Sequence, residues 1–145
     1  MMDDDRQRKE DQQALITAVQ NGIVDCISSH HLPQNWDAKT IEFEYAKSGM
    51  ASIETAFAAV LTAIPSLTAH QISDLFSGNA RKIFNTPLSI TEGAIAELTI
   101  FDMKGKTKMA KEQSASKSAN NAFWNQSLQG KIIGTIVKGS LQISK

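Results

Sequence analysis

Apolar residues recur along this chain at two periods, and the change from one to the other divides it. Over residues 9–21 the spacing predicts a helix: Ala14, Leu15, Ala18 and Val19 share a face, and Gly22 stands where a C-terminal cap belongs. Residues 23–27 (Ile-Val-Asp-Cys-Ile) form a short β-branched run and predict a strand, extending to about residue 29 and buried on both faces. A polar loop follows to residue 49, with Trp36, Phe43 and Tyr45 interleaved as anchors and room for a helical turn over residues 40–47. Ile53, Ala56, Phe57, Val60, Leu61 and Ile64 then fall on one helical stripe, which predicts a helix over 52–64 with Ser52 as N-cap and Pro65 as its stop. Thr68 caps a further helix, about 68–84, that Ser77-Gly78-Asn79 interrupts.

Past residue 84 the period changes. Residues 93–102 predict a strand with Leu98 and Ile100 facing one way. Residues 104–121, rich in Lys, Ser, Ala and Asn, predict a mobile loop. Residues 131–137 and 140–143 flank Lys138-Gly139, the pattern of a hairpin. The expected organisation is α/β over residues 1–84 and a small all-β element over 85–145.

Length limits what this pattern can be. At 145 residues the chain suffices for one ordinary domain. It is too short for a barrel of eight strand–helix units, which takes roughly 200 residues at minimum. Fifteen basic and fifteen acidic residues cancel, so no global field recruits nucleic acid or an anionic membrane. The lysines at 104, 106, 108, 111 and 117 lack interleaved aromatics and fit a solvated loop better than a nucleic-acid patch. The one cysteine, Cys26, lies in the apolar strand and reads as an inert core residue. The charged start has no apolar stretch of the signal-peptide kind, and its three aspartates read as a frayed lead into the helix. No apolar run approaches the roughly 18 residues of a membrane span. A cytoplasmic protein is expected.

The chemistry-bearing residues collect at the end of the first predicted strand. Ser28-Ser29-His30-His31 and a proline-bearing loop close it, and that strand end is where a parallel α/β barrel keeps its chemistry. The stretch resembles the last barrel strand of dihydroorotases, whose pattern runs I-D-x-I-A/S-T/S-D-H-x-P-H. Asp25, Ile27, Ser28, Ser29, His31 and Pro33 match it; the family's metal-binding Asp is His30 here, and its second His is Gln34. The resemblance continues in family order. Asp37, Lys39, Phe43, Ala46, Gly49, Met50, Ile53, Glu54 and Thr55 fall into the following loop pattern, with Ser52 in place of a family Gly. Asn79-Ala80-Arg81 resembles an N-P-A-R helix start without its proline, and Leu98 to Asp102 resembles L-T-L-F-D. Ser116-Lys117-Ser118, Asn121, Phe123, Leu128, Gly130-Lys131 and Thr135-Ile136-Val137 with Gly139 resemble S-K-S-x-N-x-P-F and the segment after it.

The resemblance implies a C-terminal fragment of a (β/α)8 amidohydrolase barrel, with the last strand and its flanking helices, plus part of a small β-sandwich. The activity implied is a zinc-dependent interconversion of carbamoyl-aspartate and dihydroorotate in pyrimidine biosynthesis. Most zinc ligands would lie on other strands, so this chain alone is expected to bind no zinc and to be inactive. His30 occupies the position of the catalytic Asp, either as a polar cap or as a residual substrate or metal contact. Gln34 and Ser52 take positions near substrate, the amide without the charge of the residue it replaces. The implied partners are the rest of the barrel or another copy of the chain in a homo-oligomer. Two alternatives stand beside this: a non-catalytic subunit that partners aspartate transcarbamoylase, and another cyclic amidohydrolase of the hydantoinase kind, against which the S-K-S-x-N segment argues.

Overall fold

A computed structural model describes residues 2–86 and 90–143, with backbone alone for residues 2–7. Its elements are α1 (Met2–Gln20), α2 (Ala56–Ala63), α3 (Ala69–Ser73), a π-helical turn (Asp74–Gly78), α4 (Asn79–Ile83), β1 (Leu98–Thr107), a 3-10 turn (Lys111–Gln113), β2 (Leu128–Val137) and β3 (Ser140–Ile143). The chain divides into two compact units, residues 1–28 with 66–91, and residues 29–65 with 92–145. This grouping is by contact and differs in kind from the expected barrel and sandwich shares, which follow from resemblance.

In the first unit α1 starts at Met2, seven residues before the predicted start at residue 9. The aspartates at 3–5 occupy its first turns instead of fraying, and acidic residue types are favoured at that end of the helix dipole. The helix closes with Gly22 N–H on the Val19 carbonyl (3.1 Å) and Ile23 N–H on the Ala18 carbonyl (2.9 Å), the paired bonds of a left-handed C-cap. Thr68 caps α3 as expected: its hydroxyl accepts from Gln71 N–H, and its own N–H donates to Gln71 Oε1 at 2.9 Å. Ser77-Gly78-Asn79 does not break the helix. The chain widens into a π-helical turn there and continues into α4, so one extra residue is absorbed without a stop. Ile72 and Leu75 are buried on this run.

The predicted strand over 23–29 is absent as a strand. Its backbone makes no ladder among the described residues; instead Ile27 N–H donates to the Leu75 carbonyl at 2.9 Å, and Asn79 Nδ2 donates to the Asp25 carbonyl at 3.0 Å. Ile23 is 72% exposed and Cys26 only half-buried, so the expected two-sided burial fails. The reason is physical: a parallel strand becomes a strand only between neighbours and under helices.

The second unit holds a three-stranded antiparallel sheet in the order β1-β2-β3. β2 and β3 pair from Val137↔Ser140 to Gly134↔Ile143 across Lys138-Gly139. Both turn residues have positive φ, +49° and +80°, which matches the twist of a two-residue hairpin. β1 begins at Leu98 instead of 93 and runs on to Thr107, taking in residues expected in the loop. Its register on β2 slips twice, between Ile100 and Phe101 and between Asp102 and Lys106. At the first slip Ile133 of β2 is left unpaired, and on β1 it is Phe101, not Ile100, that meets α2: the Phe57 and Phe101 rings lie 5.1 Å apart at 55°, while Ile100 is 42% exposed. The core sits where α2 lies on β2, around Ala58, Leu61, Ile64 and Leu128. α2 begins at Ala56, four residues later than predicted, with Thr55 at its N-cap position in place of Ser52.

Candidate functional site

The chain after residue 28 is built into a frame of three strips: residues 29–36, 48–55 and 114–121. His31 bridges Met50 in parallel, and Leu32 N–H donates to the Met50 carbonyl at 3.0 Å. Ser52, expected as a helix cap, is buried and donates its hydroxyl to the Ser29 carbonyl at 2.6 Å. The third strip crosses the second through paired bonds: Ala51 N–H to the Asn120 carbonyl (2.7 Å) and Asn120 Nδ2 to the Gly49 carbonyl (2.6 Å). Asn121 is buried, its amide donating to the Ala51 carbonyl at 2.8 Å and to Thr55 Oγ1 at 3.1 Å. Glu54 takes the Ser114 hydroxyl and, at 2.9 Å, Ala115 N–H.

The third strip therefore is no loose loop. Ser114, Ser116 and Ser118 each accept the amide two residues on with their own hydroxyl, at 3.0, 3.2 and 3.3 Å. Each is a small local turn, and repeated turns of this kind set the backbone of the strip. Ser118 also donates to the Gln34 carbonyl at 2.7 Å, closing the frame on the first strip. Asn121 and Glu54 were visible in the sequence as members of a motif; nothing in spacing alone marked them as the ties that hold it.

His30, at the position of the family's Asp, has φ +45°, a left-handed backbone that few non-glycine residues adopt and that often accompanies functional sites. The turn there ends the extended run. His31 is half-buried, and its Nδ1 accepts Ile53 N–H at 3.2 Å. That bond engages the Nδ1 lone pair. Gln34 spends its side-chain amide on the Ser48 carbonyl at 3.1 Å. His70 lies in the other unit, 3.3 Å from Asp74.

Zinc, which the resemblance implies, takes about three protein ligands and a water in a catalytic site. Among the described residues no group of three or more His, Cys, Asp or Glu side chains is placed to hold a metal, so the described donors do not fit such a centre. Between the first and third strips lies an open hollow of about 670 Å³, lined by Pro33 to Trp36, Lys39, Lys111 and Ser116 to Asn120. The anchors expected in the loop are not anchored: Trp36, Phe43 and Tyr45 are 73, 95 and 71% exposed. They stay open to solvent among the described residues. Among the described residues no helix is long and apolar enough to cross a membrane.

No family model matches the chain. It is 35% identical over 137 residues to a dihydroorotase of Caldicellulosiruptor saccharolyticus, an alignment that covers 92% of this chain and 32% of that one. It is 33% identical over 139 residues to a dihydroorotase of Endomicrobium trichonymphae, covering 92% and 33%. A solved D-hydantoinase (dihydropyrimidinase) of a Thermus species superposes with a TM-score of 0.78 at 21% identity, over 90% of this chain and 31% of that one. The chain thus spans about a third of the length of the curated relatives it matches, and its backbone superposes on a like share of that hydantoinase.

Proposed function

We propose that this dihydroorotase-like chain is the C-terminal share of a cyclic amidohydrolase, residues 1–84 from its barrel and 85–145 from its small β-sandwich. The reaction would be the interconversion of carbamoyl-aspartate and dihydroorotate in pyrimidine biosynthesis, in the cytoplasm. One observation carries the reading: 35% identity extends over 92% of this chain while covering 32% of its relative. The rest of the barrel, from a longer protein or from other chains, is then the partner. Ile23, Phe43, Tyr45 and Ile90, all more than two-thirds exposed, suit its contact surface.

Residues 1–145 alone are not a catalyst on this reading. The test follows ring opening of dihydroorotate by the isolated chain with added zinc; metal-dependent turnover overturns it. In a longer, active parent, His30→Asp raises the rate or the metal content, because it restores a carboxylate where the family has one. An unchanged or lower rate gives His30 a role of its own, since an imidazole also moves protons. The intact mass of the purified protein, set beside the reading frame upstream of Met1, decides whether a longer parent exists.

A second reading is favoured by His30 and Gln34 themselves. With the acid/base carboxylate replaced and the amide of Gln34 engaged on Ser48, the chain suits a non-catalytic dihydroorotase-like subunit that scaffolds aspartate transcarbamoylase. Co-purification of an active transcarbamoylase with a parent that His30→Asp does not activate distinguishes it.

A further inference from the structure

We propose that the cavity between residues 33–39 and 111–120 binds a small phosphate-bearing ligand. Its volume, about 670 Å³, lies in the range of small-molecule sites, roughly 300–1,000 Å³. Lys39, Lys111 and Lys117 line it, and no Asp or Glu does. In a chain whose fifteen cations and fifteen anions cancel, a lining with three lysines and no carboxylate is a local excess of positive charge. Spacing in the sequence concealed this, because Lys39 lies far from the other two and is brought beside them by the Ser118–Gln34 bond.

The donors suit an oxyanion. Lys39 gives one hydrogen to the Lys47 carbonyl, which fixes its ammonium and leaves two hydrogens for a ligand. Ser116 Oγ accepts Ser118 N–H, so its own hydrogen remains to donate. Three positive charges and a hydroxyl match a group with nearly two negative charges and three strong acceptor oxygens better than they match a single carboxylate. The walls are already set by Glu54, Asn120 and Ser118, so binding orders little that is not ordered. Trp36 offers an open ring at the rim for a planar substituent on the phosphate. None of this depends on the amidohydrolase reading; the site stands if the chain proves to belong to a scaffold.

The test titrates the full chain with inorganic phosphate and with phenyl phosphate, by calorimetry and by tryptophan fluorescence. Saturable binding at one site is expected, weaker at higher ionic strength. Lys111→Gln or Lys117→Gln should each weaken it about two- to fivefold, and the pair roughly tenfold. Lys138→Gln, in the hairpin turn, should leave it unchanged. Tighter binding of phenyl phosphate that Trp36→Ala abolishes identifies the ligand as an ester with a planar group; equal binding identifies free phosphate. No saturable binding, or binding indifferent to both lysine variants while circular dichroism reports them folded, overturns the proposal.

Discussion

Two glycines show how the same left-handed backbone costs different amounts in different surroundings. Gly139 has φ +80° with nothing within 4 Å of where a Cβ would sit, so Gly139→Val carries only the conformational penalty. We expect it to cost about 1 kcal/mol or a little more. Gly130 has φ +89°, and a Cβ there would meet Leu61 Cδ1 at 2.5 Å and Phe57 Cε1 at 3.0 Å. Gly130→Ala should cost more than Gly139→Val although alanine is smaller, roughly 2–4 kcal/mol, since it adds overpacking beneath α2 to the strain. Denaturant titration of the two variants checks the order, and equal midpoints would refute it. Sequence pointed to Gly139 through the turn pair it forms with Lys138, but the contact at Gly130 exists only once α2 is laid on β2.

At the scale of elements, the parts legible in the sequence are those whose signals are local. Thr68 and Gln71 cap α3 across three residues, and Lys138-Gly139 turns a hairpin across two. Thr68→Ala should lower stability by about 1 kcal/mol and speed amide exchange over residues 69–76; unchanged exchange there would show that the box contributes nothing. The misplaced elements depend on distant partners. Residues 23–29 have the composition of a buried strand but pair with no strand among the described residues, and β1 starts later than its apolar pattern begins because its ladder is set by β2. The third strip looked like a mobile loop because Lys, Ser, Ala and Asn bury little. Its order comes from hydrogen bonds to Glu54, Gly49 and Ala51, which no window of sequence contains.

At the scale of the whole molecule, several large apolar side chains are exposed, in a chain that spans about a third of its relatives' length. Phe43 at 95% exposure and its neighbours Trp36 and Tyr45 should drive association of the isolated chain. Light scattering across a concentration series should therefore show a mass that rises for this chain and stays nearer 15.8 kDa for Phe43→Asp. Identical behaviour of the two would remove this patch from the account. The residues of the candidate site were legible one by one, while their assembly into a cationic hollow was not, because it joins segments about 80 residues apart. The sheet adds a directional constraint. Along β1, two register slips and the exposed Lys104 and Lys106 make a bent, charged border that repels a further strand. β3 carries neither device: Leu141 and Ile143 are open, and only its four-residue length guards its free backbone groups. A fourth strand, where a chain supplies one, therefore meets less resistance beside β3 than beside β1.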